Sequence, residues 1–327
     1  MKQHRLKDTD LSVSDFCYGV MHLGTHVHGD EVFKLYARFR EAGGNFFDTA
    51  HIYADWLHQG AGVSETSLGA CLRHFGDREK VVVLTKGGLP ACGDFYPRPD
   101  DCLTPQVIAS DISDSLQRLQ IDRLDIFMLH RDDRRHPVGE IMETLNAEIA
   151  RGRTRYLGAS NWSTARLVAA NAYAASKGLQ GFVIRSPQWN LGQQNHPPVL
   201  PNGEYDHAIV PLSEDDVAWH RQHQFPVMPW TPTAYGYFAG SDSTNARSFD
   251  NPVSRERRER ARELAQKLGC TPSQIALAYL RSFDFPVFPI LGTMNLEHLS
   301  DSLDAARLSL SPEQRDWLRT GECARLA

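Results

Sequence analysis

Four side chains stand just beyond short apolar runs, and their types suit one reaction. They are Asp48 and Tyr53 in NFFDTAHIY, Lys86 in VVVLTKGG and His130 in LDIFMLHRDD. A free phenol titrates near ~10 and parts with its proton poorly at neutral pH. A neighbouring ammonium stabilises the phenolate and lowers that value. Asp48 supplies a carboxylate that can fix the position and charge of Lys86. His130 can donate a hydrogen bond to a carbonyl oxygen and stabilise the oxyanion that develops there. Together the set describes proton donation to a carbonyl that is being reduced. Each residue alone has a plainer reading: a solvated strand-end lysine, a core or rim tyrosine, a structural histidine. Four such types at three successive strand ends need a common destination.

The elements that must carry them are legible from pattern. The runs Phe46–Phe47, Val81–Leu84 and Ile126–Leu129 are short, β-branched or aromatic, and closed by polar residues, so they read as buried strands. In a parallel α/β protein the ends of such strands meet at the carboxyl edge of the sheet, where active sites are built. Strand-like and helix-like segments alternate along the chain. CYGV precedes an amphipathic run from Glu31 to Ala42, and Ser64 opens a helix with Leu68, Cys71, Leu72 and Phe75 on one face. Thr104-Pro105, Ser163, Thr271-Pro272 and Ser311-Pro312 read as helix starts, and a helix is expected from Gly139 to Ala150. TRYLGAS, FVIRSPQWN, FPVMPW and FPVFPILG are the later strand candidates.

Eight strand–helix repeats without a linker favour a (β/α)8 TIM barrel over a doubly wound sheet. A Rossmann sheet would want a GxGxxG turn after its first strand, and the chain has Tyr18-Gly19-Val20-Met21 there. The expectation is one α/β domain over 1–327, with an extra terminal helix and long loops on the catalytic face. Two segments break the rhythm, 191–212 and 239–251, and loops of that length are usually lids, binding loops or disorder.

Bulk properties set outer bounds. The chain has 327 residues, 41% apolar and 23% charged, which is enough to bury a substantial core. Its net charge of −5 gives no general reason to bind nucleic acid or an anionic membrane. Six cysteines, Cys17, Cys71, Cys92, Cys102, Cys270 and Cys323, form no CxxC pair and read as reduced thiols. The start MKQHRLKDTD has no apolar signal region, so a soluble cytoplasmic protein is expected.

Over nearly its whole length the chain resembles the aldo-keto reductase family. FDTAHIY resembles the family's strand-two motif, with Asp48 and Tyr53 in the places of its catalytic Asp and Tyr; LTKGG places Lys86 and MLHRDD places His130. GASNW resembles the motif whose Ser and Asn hold the nicotinamide carboxamide, here Ser160 and Asn161, and SPQWN puts Gln188 at a third carboxamide contact. Trp230 in MPWTP stands where the family keeps an aromatic under the nicotinamide ring. The resemblance implies NAD(P)H-dependent carbonyl reduction. It also implies that loops after strands seven and eight bind the rest of the cofactor, through Thr231, Pro232, Gly236, Gly292, Thr293, Asn295, His298 and Asp301.

Family members that use NADP generally carry Arg or Lys for the 2′-phosphate, which prefers a permanent forked cation. This loop offers His298 and Asn295, with Arg247 or Arg255 as substitutes from elsewhere. That departure weakens the NADP assignment, and NADP(H) is expected slightly ahead of NAD(H) on family habit alone.

Other readings compete. His22, His26 and His28 in MHLGTHVH invite a zinc site of the amidohydrolase type, but LGT at strand eight lacks the Asp such a site wants, so no metal is expected. Some proteins with this fold resemble channel β-subunits and bind nucleotide mainly as regulatory partners. The substrate rim is expected from Met21, His22, Trp56, His58, Arg131, Asp132, Trp162 and Tyr237. That mix of aromatics and charged hydrogen-bonders suggests a small polar carbonyl, with a sugar favoured.

Overall fold

The computed structural model describes residues 1–55, 60, 62–90, 98–197, 206 and 208–322. An antiparallel hairpin, β1 (Gln3–Arg5) and β2 (Ser12–Ser14), comes first. There follow β3 (Cys17–Gly19), α1 (Asp30–Glu41), β4 (Phe46–Asp48), α2 (Val63–Phe75), β5 (Val82–Gly87), α3 (Pro105–Leu119), β6 (Leu124–Leu129) and α4 (Val138–Ala150). Then come β7 (Thr154–Ser160), α5 (Thr164–Ser176), β8 (Phe182–Ser186), α6 (Glu214–His223), α7 (Thr244–Arg247) and α8 (Pro252–Leu268). The chain continues through α9 (Pro272–Arg281), β9 (Ile290–Leu291), α10 (Leu296–Asp304) and α11 (Pro312–Thr320). The main sheet is a curled, seven-stranded parallel one in the order β8-β7-β6-β5-β4-β3-β9.

Helices cover such a sheet, so its strands carry apolar residues on both faces. One face gathers Cys17, Phe46, Leu84, Ile126, Met128, Ile184 and Ile290, with Leu6, Leu11 and Val13 of the hairpin region in the same cluster. The alternate residues Tyr18, Phe47, Val83, Phe127 and Leu157 pack outward with helix residues such as Leu68, Ile112 and Leu145.

Helix starts follow their cap chemistry. Thr104, Ser163, Thr271 and Ser311 each accept from the backbone N–H three residues on. Ser64 does not open its helix: Gly62 holds the N-cap position, and the Ser64 hydroxyl instead donates to Val20 O at 2.8 Å and meets Thr49 Oγ1.

FPVMPW forms no named strand, and FPVFPILG contributes the two residues of β9. Prolines explain this. Pro226, Pro229, Pro286 and Pro289 have no N–H, and each serves the ladder as an acceptor alone. Parallel pairing there is reduced to single bridges, Arg185 to Val227, Val227 to Val287 and Gln188 to Trp230. The irregular segment 239–251 contains α7, capped by Ser243, and buries Ala246 and Phe249. Of 191–212, residues 198–205 and 207 lie outside the described residues.

Candidate active site

The ladder continues past the strand ends and brings three of them to one edge. Thr49 N–H donates to Leu84 O at 3.0 Å, His51 N–H to Lys86 O at 2.8 Å and His130 N–H to Gly87 O at 2.8 Å. Lys86 Nζ donates to the Asp48 carboxylate, to Tyr53 Oη at 3.1 Å and to Thr49 O at 3.3 Å. Asp48 and Lys86 are buried, and Tyr53 is half-buried. The Lys86 ammonium also lies 4.9 Å from the centre of the Tyr53 ring. His130 meets that ring edge-on, with centroids 5.7 Å apart. The four predicted residues are thus one constellation.

Burial governs its electrostatics. Desolvation alone would lower the Lys86 ammonium, but the Asp48 carboxylate and Tyr53 oxygen outweigh it and hold the lysine above its ordinary value. Burial raises the Tyr53 phenol, with Lys86 as the largest opposing influence. The net direction for Tyr53 is therefore up, where the sequence suggested down: removal from water outweighs the ammonium. A raised phenol keeps its proton at neutral pH and holds it beside a permanent cation. Burial, with the Arg131 and Lys86 charges, pushes His130 well below the usual histidine range, so its ring is neutral. Its Nδ1 is buried without a partner, which suits a ring carrying its one proton on Nε2.

The residues expected to hold a nicotinamide carboxamide lie next along this edge. Ser160 Oγ donates to Ser186 O at 3.0 Å, and Asn161 Nδ2 donates to Ser160 Oγ at 2.9 Å and to His130 O at 3.3 Å. Asn161 takes a left-handed φ of 58°, which turns its amide inward. Asn161 Oδ1 and Gln188 Nε2 are buried without partners. One orphan acceptor and one orphan donor are what a primary carboxamide, with its NH2 and C=O, would satisfy. Trp230 Nε1 and Thr231 Oγ1 are also buried and unpartnered, and Trp230 is bridged to Gln188. Thr231 holds φ 52°, an outlier for a β-branched residue, and is followed by buried Pro232 and, at φ 81°, Gly236. The residues fit the nicotinamide end of the cofactor.

The far end is more open. Gly292 is exposed, and Thr293 O accepts from Tyr18 Oη at 3.0 Å. Asn295 is the N-cap of α10, accepting from the N–H groups of Glu297 and of exposed His298. Asp301, expected among the cofactor contacts, has its carboxylate engaged by Thr271 Oγ1 at 3.1 Å and Gln274 Nε2 at 3.0 Å. That pairing ties α10 to the start of α9. Arg255 is held by Asp250 through two 2.8 Å bonds, whereas Arg247 is 71% exposed and only loosely paired, 3.9 Å from Asp242.

The expected rim divides. Met21 and His22 are half-buried, and the His22 and His26 rings stack at 4.1 Å and 7°, face to face. Trp56 and His58 lie outside the described residues. Trp162 is no rim residue: it is fully buried, edge-on to Phe182 and under the Arg166 guanidinium. Tyr237 is likewise a core side chain, 2% exposed, with Arg258 over its ring and its hydroxyl on Asp250. Arg131 and Asp132 do not pair with each other. Arg131 donates to Asp206 at 3.0 Å and to His130 O, and Asp132 is held by Arg166 at 3.1 Å. Sequence reasoning missed Tyr235. It is 36% exposed at φ 54°, and its phenol is raised by burial and by the Tyr53 oxygen. The signal was an aromatic beside a glycine in the loop after Trp230.

Comparison with known proteins adds an independent finding. The family model described as "Aldo/keto reductase family" matches residues 15–319. An uncharacterized oxidoreductase of Bacillus subtilis (strain 168) is 28% identical, covering 96% of this chain and 93% of its own. An aryl-alcohol dehydrogenase [NADP(+)] of Phanerodontia chrysosporium is 29% identical, covering 94% and 82%. A norsolorinic acid reductase of Aspergillus flavus is 28% identical, covering 95% and 79%.

Proposed function

This chain belongs to the aldo/keto reductase family and is an NAD(P)H-dependent oxidoreductase, and from that premise we propose that it reduces an aldehyde or ketone to an alcohol with Tyr53 as proton donor. The observation that carries this is Lys86 Nζ, bonded to the Asp48 carboxylate and 3.1 Å from Tyr53 Oη. When bound, a reduced nicotinamide supplies the hydride that goes to the carbonyl carbon. Tyr53 Oη gives its proton to the carbonyl oxygen, Lys86 stabilises the phenolate left behind, and Asp48 holds Lys86 in place. His130, neutral and beside Tyr53, donates to the same oxygen as charge develops. Asn161 and Gln188 orient the carboxamide, Ser160 fixes Asn161, and Trp230 supplies an apolar face for the ring. The bridges through Val227 and Val287 are read as strands seven and eight of a closed (β/α)8 barrel.

The favoured substrate is a flat aromatic carbonyl. Two relatives are named an aryl-alcohol dehydrogenase and a norsolorinic acid reductase, and Tyr235, in the turn after Trp230, offers an exposed ring. A sugar would need hydroxyl-binding groups, and Arg131 and Asp132 are spent on Asp206 and Arg166. NADP(H), the cofactor for which the aryl-alcohol dehydrogenase relative is named, is favoured over NAD(H). Steady-state assays of aromatic and sugar aldehydes, each with NADPH and NADH, test all three points. Turnover is expected with aromatic aldehydes and NADPH. Efficient sugar reduction would restore the polar reading, and nucleotide binding without turnover of any carbonyl would favour a regulatory role.

A further inference from the structure

The turn between Asp48 and Tyr53 is pinned at one residue by three different groups. That residue is His51, 5% exposed. Its N–H donates to Lys86 O at 2.8 Å, and its C=O accepts from Arg118 Nη1 at 3.0 Å. Its ring Nε2 lies 3.1 Å from Asp114 Oδ2 and 3.9 Å from Asp111 Oδ1. We propose that His51 is a positioning residue for the Tyr53 hydroxyl, tying the turn that carries it to the Lys86 strand end and to helix α3.

The anchors are themselves rigidly held. Arg118 Nη1 also bonds Glu65 at 3.1 Å, and fully buried Glu65 accepts from Thr85 Oγ1 at 2.6 Å, on the strand that bears Lys86. A Cβ on Gly62 would come within 2.3 Å of Arg118 Nε, so the guanidinium lies close over a residue that has no side chain to obstruct it. Asp111, fully buried, accepts from Gly88 N–H at 2.8 Å and from both terminal nitrogens of Arg98 at 2.7 and 2.8 Å. Gly88 is two residues beyond Lys86. Thus both sides of the Tyr53–Lys86 contact are fastened to one network of buried ions. Such ions cost several kcal/mol to desolvate and persist only when fully partnered. From His51 the chain reaches Tyr53 in one tight turn, closed by Tyr53 N–H to Ala50 O at 3.0 Å. Nothing longer than two residues separates the anchor from the hydroxyl, so a displaced His51 displaces Tyr53.

The inference rests on the reading of Tyr53 as proton donor, and its test separates the two. His51→Ala is expected to lower kcat about 10-fold or more, short of or near the ~10²-fold cost of a 1 Å misplacement. The solvent deuterium isotope effect on kcat should rise, because proton transfer becomes slower, while cofactor dissociation constants stay close to wild type. His51→Gln, whose amide nitrogen can replace Nε2 toward Asp114, should recover most of kcat. Asp114→Ala, at a side chain 44% exposed, removes the same anchor with little risk to folding and should shift kcat and the isotope effect in the same direction. A folded His51→Ala or Asp114→Ala enzyme with wild-type kcat and isotope effect overturns the proposal. So does a loss of kcat that His51→Gln does not rescue. Tyr53→Phe is the reference: if it still turns over, the donor reading fails, and if it is inactive beside a wild-type-like His51→Ala, only the role of His51 fails.

Discussion

Two stretches of the same sheet edge treat their polar atoms in opposite ways. At the ends of β4, β5 and β6, Asp48, Lys86 and Tyr53 are bonded to one another, with His130 Nδ1 the orphan beside them, and Arg118 pairs with Glu65 and Arg98 with Asp111 behind. At the ends of β7 and β8 and in the Trp230 turn, Asn161 Oδ1, Gln188 Nε2, Trp230 Nε1 and Thr231 Oγ1 are buried with no partner. Buried polar groups are ordinarily satisfied, and an orphan costs about 1–3 kcal/mol. The first region is assembled before anything binds; the second is completed by what binds. On the proposed reading the chemistry is preorganised, and the unmet hydrogen bonds of the second region are those a bound cofactor would complete.

The largest effect should come from cutting the assembled region at its reacting atom. Tyr53→Phe removes one hydroxyl and leaves the orphan donors and acceptors untouched. Turnover should fall about 10²- to 10⁴-fold, with NADH and NADPH dissociation constants nearly unchanged by fluorescence titration. A variant that keeps most of its kcat would remove Tyr53 from the acid role and erase the division between the two regions.

Removing the cation should damage both chemistry and folding. Lys86→Met leaves the Asp48 carboxylate buried without its partner, a change that typically costs about 3–5 kcal/mol. Burial already raises Asp48, and without Lys86 that rise should grow. A carboxyl whose folded value lies above its unfolded one contributes stability at low pH and loses it as pH climbs through the folded value. The melting temperature of Lys86→Met should therefore fall as pH rises from the acid side. The double variant with Asp48→Asn should recover stability without recovering kcat. Equal stability of the single variant at all pH values would show that Asp48 finds another counter-charge.

The binding region should respond in the reverse sense. Gln188→Leu deletes a buried donor that has no partner in the protein alone, so thermal unfolding should show a variant at least as stable as wild type. Its affinity for NADH and NADPH should drop by similar amounts, about 0.5–1.5 kcal/mol for one neutral hydrogen bond. A destabilised variant with intact cofactor affinity would mean that Gln188 serves the fold, and the contrast between the regions would fail at that residue.

The sequence was most informative where local pattern and function coincide. Phe46–Phe47, Val81–Leu84 and Ile126–Leu129 are apolar on both faces, so their ends and the residues after them were visible without coordinates. The Thr104, Ser163, Thr271 and Ser311 caps were equally plain, because a cap is a contact over three residues. What depended on distant partners was not visible. Trp162 follows a strand end as a rim residue would, but its ring turns back onto Phe182. Adjacent Arg131 and Asp132 chose Asp206 and Arg166, 75 and 34 residues away. The runs at 226–230 and 286–291 have strand-like side chains, but their prolines lack the N–H groups a continuous ladder needs, so only single bridges form.

The smallest effect is expected at the open end of the cofactor site. His298 sits exposed in the first turn of α10, beside exposed Glu297, and no Arg or Lys lies between Leu291 and Asp301. An exposed contact between charges is worth at most about 1 kcal/mol and fades with salt, over a Debye length of about 8 Å at physiological ionic strength. His298→Ala should therefore change the ratio of NADPH to NADH affinity by no more than about 5-fold, and the change should shrink between low and high salt. If the ratio does not move, the 2′-phosphate is met elsewhere, and Arg247 is the next residue to replace. It is 71% exposed with its nearest carboxylate 3.9 Å away, whereas Arg255 would first have to give up two bonds to Asp250. A change far above 5-fold at His298, insensitive to salt, would mean that the phosphate is enclosed when bound. The open end would then be as built as the strand ends opposite, and the contrast would describe only the protein without its cofactor.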